Sequence, residues 1–273
     1  MMFALHDRIN AENKTHFVRG VISKLRLLCV LAKAQEVNVC SPILYSSVAK
    51  FDFTYGCCYR NLQMMISCLA ARSDFYEVLF DGFVGIPTVP KIQTIIEKAW
   101  GEGFDTCGQS ELKGTLVHTS KWIGPEEVLA FFALFRIKCT IVNFVSQAPW
   151  SRSHVVSMFN WAYRYFERGA SFMPPLYLQH KGHSRLIVGM EKDCNGNRHL
   201  LLFDPALKRS EVIKIVQRTE QNDLTLFQAA IADFTQDAYQ ILYINGLMKN
   251  DSDVERAKNG TYFATEADEP SFP

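Results

Sequence analysis

The sequence predicts one α+β domain, with N-terminal helices packed on an antiparallel β-sheet. Apolar residues recur at helical spacing as far as Glu167, and short β-branched or aromatic runs bounded by turn residues take over from Pro174. The 273 residues are 48% hydrophobic, and no repeat or linker divides them, so a single core can bury them.

Residues 1–15 are polar and read as a loose leader; 16–34 read as a helix with Phe17, Val18, Val21, Ile22, Leu25, Leu28 and Cys29 on one face. Leu27–Ala32 imitates the apolar part of a secretory signal, but Lys24 and Arg26 cut it to six residues, short of the usual ~7. Ser41 to Asp52 is turn-rich and leads to a helix from about Tyr59 to Ala70, where Leu62, Met65, Ile66 and Leu69 trace one stripe. A helix near Lys91 to Gly101 has Ile92, Ile95, Ile96 and Ala99 on one face. Trp122-Ile-Gly-Pro125 is a helix entry, with Glu126 and Glu127 where the dipole favours negative charge, for a helix over Val128 to Arg136. Cys139 to Phe144 is a buried strand and Val155 to Glu167 an aromatic-rich helix. Pro174 to His180, Ser184 to Glu191 and His199 to Phe203 are extended, and Asn195-Gly196 predicts a type I′ hairpin between the last two. Leu224 to Phe234 reads as a helix and Tyr239 to Ile244 as a last strand, and the charged tail from Lys249 as frayed.

Twenty-nine basic residues against 28 acidic ones leave a net charge of +1 without charge runs, so neither nucleic acid nor a membrane surface is expected as a partner. No apolar run approaches the ~18 residues of a membrane span. The eight cysteines show no zinc-ribbon spacing and no disulfide framework, which predicts reduced thiols, a cytoplasmic or nuclear location, and no metal or cofactor.

Asp52-Phe-Thr-Tyr-Gly-Cys-Cys-Tyr-Arg-Asn-Leu-Gln brings two adjacent cysteines to the start of a helix. Unpaired amides and the positive end of the dipole there favour a thiolate, so a reactive cysteine is one reading and a pair of small buried residues at a tight turn is the other. A thiol nucleophile needs a base and a group that orients it. His6, His16, His118 and His154 lie away from carboxylate-bearing strands, whereas His180, His183 and His199 belong to the β half, where Asp204 ends a strand. His199 faces the opposite side of that strand by alternation. Counting from the Asn195-Gly196 turn, Asp204 falls beside Ile187, four residues from His183, so pairing His183 with Asp204 requires a bulge or a bend after Gly182.

Gly56-Cys-Cys-Tyr-Arg-Asn-Leu-Gln-Met64 resembles the nucleophile motif of the superfamily of proteases specific for the ubiquitin-fold modifier. In the branches where the histidine follows the aspartate the motif is Asp-Pro-His, but this chain has Asp204-Pro-Ala206. Pro174 to Arg185, with Val188-Gly-Met-Glu191, instead resembles the zinc-finger-containing, ZUFSP-type deubiquitinase branch, in which the histidine precedes the aspartate strand. Pro90-Lys-Ile-Gln93, Ala99 to Asp105 and Lys121-Trp-Ile-Gly124 also look like that branch.

The resemblance implies a papain-like cysteine protease fold over residues 51–248, preceded by a helical arm at 16–50 and followed by a flexible tail at 249–273. It implies catalytic Cys57, His183 and Asp204, with Gln179 donating to the oxyanion, and hydrolysis of the isopeptide bond after the C-terminal Gly-Gly of ubiquitin. Asp105 and Glu127 would meet the arginines of the ubiquitin tail; each also fits a solvated or helix-capping carboxylate, and Gln179 a strand-end hydrogen bond. Ubiquitin and polyubiquitin chains are the expected partners of a monomeric enzyme. Cys58 stands where that branch has glycine and is expected to point into the core; Tyr55 replaces a tryptophan. The competing readings are a protease of the ubiquitin-fold modifier or another ubiquitin-like protein, an inactive ubiquitin-binding module, and a redox cysteine pair.

Overall fold

The computed structural model describes residues 17–80, 85–148, 151–218, 221–260, 263–265 and 268. The polar leader, with His6 and His16, lies outside them. Phe17–Val18 form β1 rather than the first turn of a helix, because Gly20 takes a left-handed conformation (φ 77°) and the helix, α1, spans Val21–Leu31. Glu36–Val39 (β2) and Tyr45–Ser46 (β3) follow, the latter pairing with β1. The cysteine-led helix α2 spans Cys57–Leu69 and is buried on every side, so its polar residues need partners inside the protein. Ser73–Phe80 (α3), Val89–Gly101 (α4), Thr106–Glu111 (α5) and Pro125–Leu134 (α6) complete the first half.

The second half runs Ile137–Val145 (β4), Ser153–Glu167 (α7), Leu176–His180 (β5), His183–Lys192 (β6), Arg198–Phe203 (β7), Arg209–Gln217 (α8), Gln228–Ala229 (β8), Ala238–Leu247 (β9), Asp251–Lys258 (α9) and Phe263–Ala264 (β10). Among the described residues the main sheet has the order β10-β4-β9-β5-β6-β7-β8, with β2 pairing β6 beyond the end of β5. Its neighbours are antiparallel except β10, which runs parallel to β4. β6 is buried on both faces from Leu186 to Glu191, so the sheet is covered on both sides, and α2 and α7 both pack on this strand.

Three expectations change. Leu224 to Phe234 is not a helix but two 3₁₀ turns, Gln221–Leu226 and Ile231–Asp233, around β8; the Phe227 carbonyl is thereby free to take the Leu202 amide and extend the sheet at β7. The chain after Lys249 contains α9, whose Asn250 side chain caps the Asp253 amide, and the short β10. The β6–β7 connection is a five-residue loop, since Lys192 pairs Arg198 and the Asp193 carboxylate gathers the Asn195 and Asn197 amides.

That loop length matters for the site. It moves the register one residue from the two-residue turn, and a β-bulge at Val188 moves it one more. Phe203 therefore pairs with Leu186, and Asp204 comes level with Arg185, two residues from His183 and on the same face. The register problem is solved by the loop and a bulge at Val188, while Lys181-Gly182 simply closes a tight β5–β6 hairpin through Gly182 (φ 80°).

Gly189 follows the bulge and lets β2 approach; a Cβ there would sit 2.5 Å from the Asn38 carbonyl oxygen and 2.9 Å from Val39 Cα. Both are backbone atoms that cannot swing aside. Gly189→Ala is expected to lower stability by about 1–3 kcal/mol, read as a fall in the urea midpoint at unchanged slope.

Candidate active site

Cys57 is placed by the turn before it. The Asp52 carbonyl accepts the Tyr55 and Gly56 amides, at 3.2 and 2.6 Å, and a side chain on Gly56 would collide with Asp52. The Asp52 carboxylate takes the Ala49 amide and a two-pronged ion pair from Arg60, with Nε at 2.9 Å. Gly56 is the N-cap, so Cys57 and Cys58 occupy the first two positions of α2, where backbone amides lack intrahelical acceptors and the dipole favours an anion.

The sheet brings the other groups. His183 Nε2 lies 2.9 Å from Asp204 Oδ2, which also accepts from Arg185 Nε at 2.9 Å, while Asp204 Oδ1 takes the Ala206 amide. With Nε2 on the carboxylate, the other ring nitrogen serves Cys57, to which His183 is hydrogen-bonded. The structure thus brings Cys57, His183 and Asp204 together across the α2–β6 contact.

The Cys57 thiol is brought down to about 4 by a hydrogen bond from the Cys58 thiol, against the effect of burial, and by further bonds from His183 and from the Ser184 side chain and backbone. His183 is pushed up to about 9 by its bond to Asp204 and then by Cys57, while burial opposes the rise. Asp204 is held below the usual carboxylate range: burial works to raise it, and the bonds and charge of His183 outweigh that. The resting pair is therefore thiolate and imidazolium.

Cys58 is in the core, 1% exposed. It also does something the sequence did not signal. Its S–H has two acceptors in reach, the Tyr55 carbonyl oxygen at 3.1 Å and the Cys57 sulfur, and serves one at a time. Ser184 was equally silent in sequence, because a serine after a histidine carries no marker of what its hydroxyl meets.

Gln179 is half-buried, with Nε2 donating to the His180 carbonyl at 3.0 Å and Oε1 accepting from Tyr177 at 3.3 Å. It lines a cavity of about 380 Å³ with Gly124, Pro125, His180 and Tyr239, but its amide faces the neighbouring backbone rather than Cys57. Asp105 caps α5 from a left-handed conformation (φ 49°), accepting from the Gly108 amide and from Trp100 Nε1. Glu127, three residues into α6, accepts the N-cap Gly124 amide at 2.6 Å. Both carboxylates crowd the space beside Gly108, where a side chain would strike each of them. Burial raises both acids, Glu127 to about 7; the Asp105 and Glu126 charges add to the rise of Glu127, and Glu126 and Glu111 to that of Asp105. The Ile123–Gly124 segment joins them to the cysteines, Ile123 by a backbone hydrogen bond to Cys58 and Gly124 through Glu127. His199, on the far side of β7, instead lies 3.3 Å from buried Glu191. Among the described residues no cluster of three or more His, Cys, Asp or Glu could hold a metal, and no helix is long and apolar enough to cross a membrane.

A thiolate at a helix N-terminus, paired with a histidine that a carboxylate orients from a sheet, is the working arrangement of a papain-like cysteine peptidase. Residues 35–242 match the model of peptidase family C78, and the chain belongs to that family. It is 34% identical over 224 residues to zinc finger-containing ubiquitin peptidase 1 of Mus musculus, which covers 79% of this chain and 38% of that protein. The match to ubiquitin carboxyl-terminal hydrolase mug105 of Schizosaccharomyces pombe is 29% over 195 residues, 70% of this chain and 76% of that one. In fold the chain resembles the crystal structure of UfSP from C. elegans, with a TM-score of 0.55 and 17% identity, covering 86% of this chain and 38% of that one. The chain thus spans well under half the length of the zinc-finger-containing relative.

The thiolate exists above about pH 4 and the imidazolium below about pH 9, so the ion pair occupies the window between. Alkylation of Cys57 by iodoacetamide, followed by peptide mass spectrometry, should rise through about pH 4, and kcat should be bell-shaped between these two limits. A single rise near the ordinary thiol pKa of ~8.5 would contradict the pairing.

Proposed function

We propose that the chain is a deubiquitinating cysteine peptidase that hydrolyses the isopeptide bond after the C-terminal Gly-Gly of ubiquitin. The hydrogen-bonded Cys57–His183–Asp204 line carries the chemistry in this reading, and the similarity to ubiquitin peptidases supports the substrate. Cys57 attacks the glycine carbonyl, His183 gives its proton to the departing lysine amine, and Asp204 holds the imidazolium in place. Water, deprotonated by the now neutral His183, then releases the ubiquitin carboxylate and regenerates the thiolate. Gln179 would exchange the His180 carbonyl for the developing oxyanion and act beside the Cys57 amide, a donor worth about 2.7–4 kcal/mol in the transition state.

Asp105 and Glu127 suit a cationic tail because two adjacent buried acids, both raised by burial, gain from an arriving guanidinium. The sign follows from Glu127 near 7: below that pH it is protonated and binds a cation weakly. KM for a ubiquitin substrate should therefore rise as pH falls through about 7, while kcat holds across the thiolate–imidazolium window. Glu127→Gln, which keeps an acceptor for the Gly124 amide, is expected to raise KM by about tenfold or more and flatten that pH dependence.

Activity probes built on ubiquitin and on the ubiquitin-fold modifier decide the substrate. A covalent adduct with the ubiquitin probe, lost in Cys57→Ala and kept in Cys58→Ala, is the expected result. Adduct formation only with the modifier probe would overturn the ubiquitin reading, and labelling that survives Cys57→Ala would overturn the nucleophile. A panel of linkage-defined ubiquitin chains then measures chain preference.

A further inference from the structure

His180 and His183 are the last pair of the β5–β6 hairpin, directly opposite across Lys181-Gly182, and His180 is in turn directly opposite Tyr239 on β9. Opposed residues of antiparallel neighbours share a face, so Tyr239, His180 and His183 stand in a row across β9, β5 and β6. The His180 and His183 rings meet edge-to-face with centroids 5.9 Å apart, and the His180 and Tyr239 rings do the same at 5.8 Å. The far end of the row is fixed. Tyr239 is buried, packed against Phe234 and the stacked ring of His154, and its hydroxyl accepts the Gln236 amide at 2.9 Å. His180 is half-buried, and its Nδ1 lies 3.1 Å from the Lys181 carbonyl oxygen, which can only accept, so Nδ1 carries the ring proton. Burial, helped by the charges of Arg185 and His183, keeps His180 below the ordinary imidazole range against the pull of that bond and of Asp204. A neutral ring thus borders His183 rather than a second cation.

In the resting enzyme the two ring nitrogens of His183 are taken by Asp204 and Cys57. Acylation removes the second. The sulfur becomes an uncharged thioester, and the proton it shared leaves on the amine. Asp204 still holds Nε2, but a bond at one nitrogen leaves the ring free to pivot, and the second half-reaction needs the other nitrogen aimed at water. We propose that His180 is a positioning residue for that half-reaction, its ring, backed by Tyr239, limiting the pivot of His183 so that the free nitrogen stays aimed at the water that hydrolyses the acyl-enzyme. In that step the water oxygen bonds to the carbonyl carbon and gives its proton to His183, and the C–S bond breaks with its electron pair returning to Cys57. This rests on Cys57 being the nucleophile and His183 its base. Asp204 acts on His183 through charge and a hydrogen bond, whereas His180 acts through ring contact, so its ring matters and its nitrogens do not.

The test separates the two half-reactions in the full chain. A C-terminal ester of ubiquitin is mixed with the enzyme, the reaction is quenched in acid, and intact mass spectrometry follows the appearance and the decay of the acyl-enzyme. In His180→Ala the decay should slow about fivefold while the appearance rate holds. His180→Phe, which keeps a ring but loses the bond to the Lys181 carbonyl, should restore the decay; His180→Asn, which keeps a donor for that carbonyl but no ring, should stay slow. The Phe and Asn variants decide the matter if His180→Ala does not fold. A wild-type decay rate in His180→Ala or His180→Asn overturns the proposal, as does a His180→Phe as slow as these, or an equal slowing of appearance and decay, which would reflect a general disturbance of the site. A wild-type chain that forms no acyl species on Cys57, with this ester or with the corresponding ester of the ubiquitin-fold modifier, would instead overturn the nucleophile reading and the role of His180 with it, so the two failures are distinguishable.

Discussion

The buried ion pair between Asp52 and Arg60 is the constraint on which the rest of the site depends. Asp52 is fully buried and Arg60 is 5% exposed. Asp52 closes the loop that ends in Gly56 with its backbone carbonyl and anchors α2 with its carboxylate, so one residue fixes both the approach to the helix and its first turn. Arg60 passes the constraint on to Gln63, whose amide donates to the Pro87 carbonyl and ties α2 to the segment entering α4. Such a pair is weak evidence of net stabilisation, because desolvation offsets most of its attraction. Removing one partner is another matter, costing about 3–5 kcal/mol by leaving a buried charge uncompensated. The pair therefore contributes position more than stability. It holds the sulfur at the N-terminus of a helix that is buried on every side.

Burial alone would make the buried thiols inert. Cys29, Cys40, Cys68 and Cys139 are buried, and burial pushes each of them up. Cys58 rises for the same reason, with the neighbouring Cys57 adding to it. Cys57 is 7% exposed and differs from these in its donors rather than in its exposure. Among the buried thiols, Cys57 is thus set apart by hydrogen bonds that converge from a helix terminus and a strand, two elements that meet only in the folded state.

The amphipathic stripes of α2, α4 and α7 were legible because helical periodicity is written in contiguous residues, as were the β-branched strands of the second half. The short β2 and β8 were not, since strands of four and two residues are defined by their partners. The site divides in the same way. Cys57, His183 and Asp204 could be named from residue type, strand ends and a family resemblance, but their approach depends on a loop length and on a bulge at Val188 that the apolar run Leu186-Ile-Val-Gly189 does not announce. Gly189 is the one local hint, a glycine inside a strand where another backbone comes close. Gln179 shows the converse limit, since the sequence names a donor but its direction is set by the His180 carbonyl and Tyr177.

The two charged centres are tuned in opposite senses by one low-dielectric interior. At the Cys57 sulfur, donors are gathered in advance and favour the anion despite burial. At Asp105 and Glu127 the donors are few, a pair of backbone amides and an indole N–H, and burial raises both acids, Glu127 to about 7. A neutral acid does not repel its neighbour, which lets two carboxyl groups share one small space beside Gly108. An approaching cation would reverse that balance by favouring ionisation of Glu127. A cation bound there would couple to proton release from Glu127 near pH 7, while Cys57 is set about three units lower. The two centres therefore titrate separately, although the short Ile123–Gly124 segment links their residues.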